Sequence, residues 1–401
     1  MSHILNRRHL LGAAFAASLA PFSRLSVAAT PATAPDAKRF VFVILRGGMD
    51  GLTAVPAVGD PAFAEARGAL AQFAGDPLRL DDTFALNPLL PQLHTMYGQG
   101  EALVLHGVGL PYRERSHFDA QQVLESGGSR PYELSTGWIG RALPGTPLRA
   151  VALETAVPLV LRGPGEVDTW APSALPEPSA DLVTRLESLY RGDPALAQAL
   201  ARAKGLREMP GMAANPAAMG GAPAPGFNAA RAGSVALARK AAEFLQRGSQ
   251  VAVLELGGWD SHINQAQPQG ALSNNLRVLD ALLAALREGL QPGGAWARTA
   301  VLVATEFGRE IAPNGTMGTD HGSGGAAFLL GGAVRGGRVL ADWPGVAKAQ
   351  RFEGRDLRIT TDLRAVMRGL LADHLQVARR RLDGEVLPGS AGLPALDLLR
   401  A

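Results

Sequence analysis

The sequence predicts an α/β fold: a mostly parallel sheet with helices on both faces. Three observations carry that expectation. Several short runs are apolar without interruption, as strands buried on both faces must be. Amphipathic segments of helical period alternate with them. Acidic and histidine residues follow three of the runs in glycine-rich turns, where open α/β sheets bind ligands beyond their strand ends.

The elements follow in order. Lys38–Leu45 is Val-, Ile- and Phe-rich and reads as the first buried strand. Asn87–Tyr97 reads as a helix, Ala102–His106 as a strand and Ser116–Ser126 as a helix. Arg149–Leu153 and Val157–Leu161 are short strand candidates, and Asp181–Ala203 is helical. The stretch 205–233 is rich in Ala, Pro, Gly and Met, and reads as a surface loop. Ser234–Arg247 is a helix, and Gln250–Leu256 a buried strand. Leu272, Leu276, Leu279, Leu283, Leu286 and Leu290 recur by fours and threes, which marks an amphipathic helix. Thr299–Thr305 and Ala326–Leu330 are strands, and Thr361–His374 is a helix.

Composition bounds the class. Of 401 residues, 47% are apolar and 19% charged, ordinary for a globular chain with a large core. The first 28 residues read as an export signal. Arg7-Arg8 precede an apolar stretch from Leu10 to about Ala20, then Pro21, and Ser26-Val27-Ala28 form a small-x-small cleavage site. The expected organisation is this twin-arginine signal over 1–28 and one α/β domain over 29–401. The expected location is the periplasm or another exported site, and the translocase of that route is an expected transient partner. Arg7, Arg8 and Arg24 are the signal's charged side chains, and removing them brings the net charge from +3 to near zero. Nothing then suggests nucleic acid. No later segment has the ~20 continuous apolar residues of a stable membrane span. Cysteine is absent, which excludes thiolate ligands and cysteine nucleophiles.

The chemistry-bearing residues are few. Asp260 and His262 lie in GGWDSH, and Asp320 and His321 in GTDHG, in a chain with eight histidines. Carboxylate plus imidazole is the ligand mix of hydrolytic metal sites. Positions 260 and 262 face one way if the segment is extended, so both could reach one ion; otherwise they make a turn and a surface histidine. Asp50, after the first strand, is either a turn residue or a third acid of the site. Glu306 follows Thr305 at a strand end, inside TEFGR, and could ligate or act as acid–base. Arg46 and Arg309 could clamp an anionic oxygen or form ion pairs, and Arg115 is a further candidate. Ser116 opens a helix as a capping-box residue or as a nucleophile, and His117 beside it could be another imidazole ligand.

The motifs LRGGMDGL, HGVGLPYRERSHFDAQ, GWIGR, GGWDSH, TEFGR, NGTMGTDHG and DLRAVMRGLL, in this order, resemble the exported bacterial domain-of-unknown-function 1501 family. That family is grouped with the alkaline-phosphatase-like superfamily, which also holds sulfatases. The resemblance implies a metal-dependent hydrolase or transferase acting on phosphate or sulfate esters, with one or two divalent ions (Zn, Mn, Ca or Mg). It implies Asp50, Asp260, His262, Asp320 and His321 as ligands and Ser116 as nucleophile, acting on a small-molecule or envelope ester. Two departures stand out. The Asp320–His321 pair comes 14 residues after Glu306 rather than directly after its strand, so either could fill the second metal position. Asn87 stands in LNP where the family tends to have histidine, and Ser129-Arg130-Pro131-Tyr132-Glu133 lacks the arginine of a sulfatase signature. The other reading is an exported protein that binds metal or an envelope component without catalysis.

Overall fold

A computed structural model describes residues 36–172, 178–207, 226–265 and 267–400. Residues 1–28, expected to be an export signal, and most of the Ala/Pro/Gly/Met-rich stretch lie outside the described residues.

The strands are β1 (Arg39–Leu45), β2 (Leu78–Arg79), β3 (Ala85–Leu86), β4 (Ala102–Gly109), β5 (Ala150–Ala152), β6 (Val167–Thr169), β7 (Val251–Leu256), β8 (Thr299–Thr305), β9 (Gly325–Leu330), β10 (Arg338–Leu340) and β11 (Thr361–Asp362). The α-helices are α1 (Gly51–Ala54), α2 (Phe63–Arg67), α3 (Pro91–Gly98), α4 (His117–Ser126), α5 (Trp138–Ala142), α6 (Ala180–Tyr190), α7 (Pro194–Arg207), α8 (Phe227–Gln246), α9 (Ala271–Leu290), α10 (Leu363–Gly369) and α11 (Arg379–Arg381).

One sheet runs β10-β4-β9-β8-β1-β7-β5-β6, with β11 extending β4, while β2 and β3 pair apart. All its pairings are parallel except those of β9, which lies antiparallel between β4 and β8. Every residue of β1 is buried, because the strand sits between β7 and β8 with helices on both faces. Its alternate side chains feed two cores. Val41, Val43 and Leu45 meet Leu276, Leu279 and Leu283 of α9 and residues of α8 and α3 on one face. Phe40, Phe42 and Ile44 meet Trp138 of α5 and residues of α4 and α10 on the other. The Trp138 ring centroid lies 5.9 Å from that of Phe40 and 5.6 Å from that of Phe42. Truncating so enclosed an indole to alanine typically costs ~3–5 kcal/mol.

The structure redraws several expected elements. The helix expected from Asn87 begins at Pro91, where the missing proline N–H costs nothing at a first-turn position. In place of the strand expected at Val157–Leu161, Leu159–Leu161 forms a short 3-10 turn after Pro158, and the neighbouring edge strand is Val167–Thr169. The 181–203 helix is two, broken at Gly192-Asp193-Pro194. The helix expected from Ser234 starts at Phe227. Thr361–His374 opens as a two-residue strand, turns into α10, and widens to a π-helical turn. Among the described residues no helix is long and apolar enough to cross a membrane.

Register fixes where chemistry can gather. Leu256, Leu45 and Thr305 are aligned at the ends of β7, β1 and β8. The three segments that follow therefore leave the sheet side by side, at one edge.

Candidate metal centre

The segment after β1 must turn sharply beside that after β7. Gly47 does so with φ +122°, and a Cβ there would sit 2.4 Å from the backbone nitrogen of Asp260. This close approach brings the β7 exit, Gly257–His262, against the β1 exit. The third exit supplies the tie. Arg309 is buried and donates to the carbonyls of Gly48 (2.7 Å), Thr319 (3.1 Å) and Trp259 (3.2 Å), and to Asp260 Oδ1 (2.7 Å).

Asp260 Oδ1 is the common point of the site. His262 Nε2 lies 2.8 Å from it, His321 Nε2 3.2 Å and His117 Nε2 3.3 Å. The imidazoles also approach one another: His117 Nε2 is 3.0 Å, and His262 Nε2 3.1 Å, from His321 Nε2. Ligand atoms of a tetrahedral ion with bonds of ~2.0–2.1 Å sit ~3.3 Å apart, close to these separations. Among the described residues His117, Asp260 and His321 form the group whose ligand atoms all lie within 4.8 Å of one another, and His262 touches two of its three atoms.

The far nitrogens of the rings are held as well. His117 Nδ1 faces Glu306 Oε1 at 2.8 Å, His321 Nδ1 the Arg115 carbonyl at 2.9 Å, and His262 Nδ1 Asp320 Oδ1 at 3.2 Å. Each partner is an acceptor, so each ring carries its proton on Nδ1 and presents the Nε2 lone pair to the centre. This is how metal-binding histidines are oriented and made more basic. Arg115 takes a left-handed conformation, φ +62°, which few non-glycine residues adopt. Its side chain is pinned to Asp356 (2.9 Å) and Glu353 (2.6 Å).

The electrostatics follow from these contacts. Burial works to raise the Asp260 carboxyl, but the Arg309 guanidinium and the histidines bring it well below the usual carboxylate range. Burial likewise opposes ionisation of Glu306, and its bonds from His117 and Gln121 prevail to lower it. The bond to Glu306 raises His117, while burial lowers His321. The donor set of imidazoles and an ionised carboxylate suits a borderline divalent ion such as zinc.

Not every expected residue joins the centre. Asp50 is 3% exposed and caps α1 through the N–H groups of Leu52 (3.1 Å) and Thr53 (3.2 Å). Its other oxygen takes Arg67 Nη2 at 2.5 Å, Thr53 Oγ1 at 2.8 Å and the Gln265 amide. Burial would raise this carboxyl, and the Arg67 charge keeps it lowered. Asp320 lies behind His262, shared with Asn314 Nδ2 at 3.1 Å. Glu306 is buried behind His117, with both oxygens engaged: Oε1 also accepts from Gly47 N at 2.8 Å, and Oε2 from Thr305 at 2.9 Å. Arg309 is enclosed by carbonyls, and Arg46 is spent on Glu125 (2.7 Å) and both oxygens of Glu255 (2.8 and 2.5 Å). Neither arginine is free to clamp an anion. Ser116 is the N-cap of α4, but its side chain makes no capping bond, so the capping box is not formed. Asn87 donates to the Thr53 carbonyl at 3.0 Å, among the supports of Asp50.

Residues missed in the sequence are the supports. Gln121 Nε2 reaches Glu306 at 3.1 Å, and it lies one helical turn after His117, a spacing that could have flagged it. Asn314 and Thr316 hold the His262 carbonyl at 3.0 and 2.7 Å. Gly318 lies so close that a Cβ would meet that carbonyl at 2.1 Å.

The fold and site thus define a mixed α/β protein with a histidine–carboxylate centre at its strand ends. The chain belongs to the family described as protein of unknown function (DUF1501), whose model matches residues 49–387. No curated protein matches it. Among solved structures it is similar to the PsFucS1 sulfatase from Pseudoalteromonas sp., at 13% identity and TM-score 0.43, over 90% of this chain and 71% of that one. It is similar to the C-terminal periplasmic domain of EcEptC from Escherichia coli in complex with Zn, at 10% identity and TM-score 0.39, over 89% and 88%. It is also similar to a protein in the alkaline phosphatase superfamily from Vibrio parahaemolyticus, at 10% identity and TM-score 0.37, over 82% and 69%.

Proposed function

We propose that the protein is an exported metal-dependent hydrolase or transferase acting on phosphate or sulfate esters, with one ion held by His117, His262, His321 and Asp260. The observation that carries this reading is the meeting of three Nε2 atoms at Asp260 Oδ1, each ring tied through its Nδ1. Export rests on the signal pattern in residues 1–28, and the ester class on the resemblance of the motif set.

A bound divalent ion would supply Lewis acidity, offsetting charge that develops on ester oxygens. The chain's own groups do the positioning. Arg309 keeps Asp260 ionised and fixed from the buried side. Glu306, Asp320 and the Arg115 carbonyl engage the Nδ1 atoms and keep the Nε2 atoms aimed at the centre. Ser116, which makes no cap bond beside His117, is the hydroxyl best placed in sequence to act as nucleophile. Asp50 belongs to the scaffold.

Elemental analysis of protein folded in its native host tests the reading. One zinc, manganese or similar ion per chain, lost in His262→Ala together with turnover of aryl phosphate or sulfate esters, is the expected result. A metal-free protein with full activity would sink it. A second reading, ion or envelope binding without catalysis, draws on one observation: Arg46, Arg309 and Glu306 are all saturated by protein partners. Stoichiometric metal with no turnover across phosphate monoesters, diesters and sulfates would favour it.

A further inference from the structure

The turn over residues 352–356 carries none of the four ligands, yet it binds two of the segments that do. It closes on itself through Phe352 N to the Asp356 carbonyl (2.8 Å) and Asp356 N to the Phe352 carbonyl (3.0 Å). On the side of His117 it meets the segment 113–115. The Arg113 guanidinium lies over the Phe352 ring, 5.1 Å from its centroid, and Arg115 reaches Asp356 Oδ2 through both Nε (2.9 Å) and Nη2 (2.8 Å). On the side of His321, Arg355 Nη2 donates to the His321 carbonyl at 3.1 Å, and Ser323 Oγ donates to Asp356 Oδ2 at 2.8 Å. Asp356 Oδ2 is therefore an atom that both ligand segments share.

Two costly features meet at this point. Asp356 is wholly buried, and its Oδ1 accepts no hydrogen bond; Arg355 Nε lies 3.2 Å away without the alignment of one. A buried carboxylate oxygen left unmatched is unfavourable. Among the described residues six non-glycine residues have a left-handed backbone, and Arg115 (φ +62°) and Glu353 (φ +53°) are two of them, joined in one ion pair at 2.6 Å. Such conformations persist only where the surroundings impose them. What the imposed conformation achieves is visible at Arg115. Its carbonyl accepts from His321 Nδ1 at 2.9 Å, and the chain reaches His117 two residues later. A carbonyl turned elsewhere would release the His321 ring and redirect the start of α4.

We propose that Asp356 is a positioning residue of the histidine centre. It holds Arg115 in its left-handed conformation, and so fixes the His321 ring and its spacing from His117. Asp356 acts through Arg115, and the role rests on the metal reading of the centre.

The test reads zinc affinity by chelator competition, and the His321 tautomer in metal-free protein by long-range nitrogen–proton NMR at about pH 8, where an ordinary imidazole is neutral. The signals missing in His321→Gln identify the ring. Asp356→Asn keeps the shape of the side chain and removes its charge. It should lower zinc affinity about tenfold, as loss of an outer support does, and turn His321 from its Nδ1–H form to a mixture of tautomers. Arg115→Gly accepts a φ of +62° without strain and keeps the carbonyl, but removes what Asp356 holds. It should weaken zinc about tenfold as well, and adding Asp356→Asn to it should weaken zinc by less than about twofold more. Should Asp356→Asn fail to fold, the tautomer of Arg115→Gly decides. An unchanged tautomer or unchanged zinc affinity in the folded single variants, or losses that multiply in the double variant, overturns the proposal while wild-type zinc binding stands. A wild-type chain that takes up no zinc, with the His321 tautomer still dependent on Asp356, supports the positioning role and overturns the metal reading instead.

Discussion

Asp260 and Asp50 look alike in sequence and end as opposites. Each follows a largely apolar strand and a pair of glycines, and each is gripped by a buried arginine, Arg309 or Arg67. Asp50 and Arg67 are both almost wholly enclosed, and hydroxyl, amide and backbone donors fill what the arginine leaves. Asp260 is held from one side, while its side chain stays 46% exposed and three imidazoles share its free face. An acid whose partners are all buried donors closes a structure. An acid fixed by a cation behind, with imidazole Nε2 atoms in front, leaves one face open.

The contrast can be broken by exchange. Asp260→Ala should cost roughly 100-fold or more in zinc affinity, beyond the usual effect of losing an outer support, read by competition with a chromophoric chelator. Stability should change far less, since Asp260 is half exposed and water can take the place of its carboxylate beside Arg309. Asp50→Ala should do the reverse, costing ~3–5 kcal/mol in urea unfolding because it strands the Arg67 charge, with zinc affinity of the folded fraction unchanged. If the two variants traded phenotypes, the distinction would fall. Glu306→Gln sharpens it: a neutral amide behind His117 should lower zinc affinity ~10–100-fold with the fold intact.

Two histidines remote from the centre set an acid limit. Burial depresses His106 and His374 from 6.5 to about 4. The unfolded chain therefore binds more protons between about pH 6.5 and pH 4, so stability is lost as pH falls through that window. Each should cost about 2 kcal/mol at pH 5 relative to pH 7. Thermal unfolding of metal-free protein checks this, and His374→Gln should flatten the slope. The smallest effect is expected for Asp320→Ala, because Asp320 is half exposed and His262 keeps its other contacts: about tenfold or less in zinc affinity.

Much of this was readable beforehand, for physical reasons. β1, β7 and β8 are buried on both faces, so their apolar runs are continuous, and the parallel sheet with its strand-end site follows. Asp260, His262 and His321 could be named because imidazole beside glycine turns is scarce in this chain, and His117 because it sits beside Ser116 at a helix start. What separated Asp50 from Asp260 could not be read, because Arg67, Gln265 and Arg309 lie far from them in sequence. The same applies to Glu306 and Asp320, whose oxygens face Nδ1 atoms rather than Nε2. Edge strands such as β6 and β10 are three residues long and half exposed, and they carry no period to find.

The antiparallel strand β9 bears on kinetics. It joins β4, which leads to His117, to β8, which leads towards His321, so the imidazoles meet only after non-local pairings across the sheet. Such pairings form slowly, and an ion gains its full coordination only afterwards. Zinc should therefore leave the refolding arm of a chevron nearly unmoved and slow the unfolding arm. At a free concentration 100 times its dissociation constant it would add ~2.7 kcal/mol, expressed as a longer native lifetime.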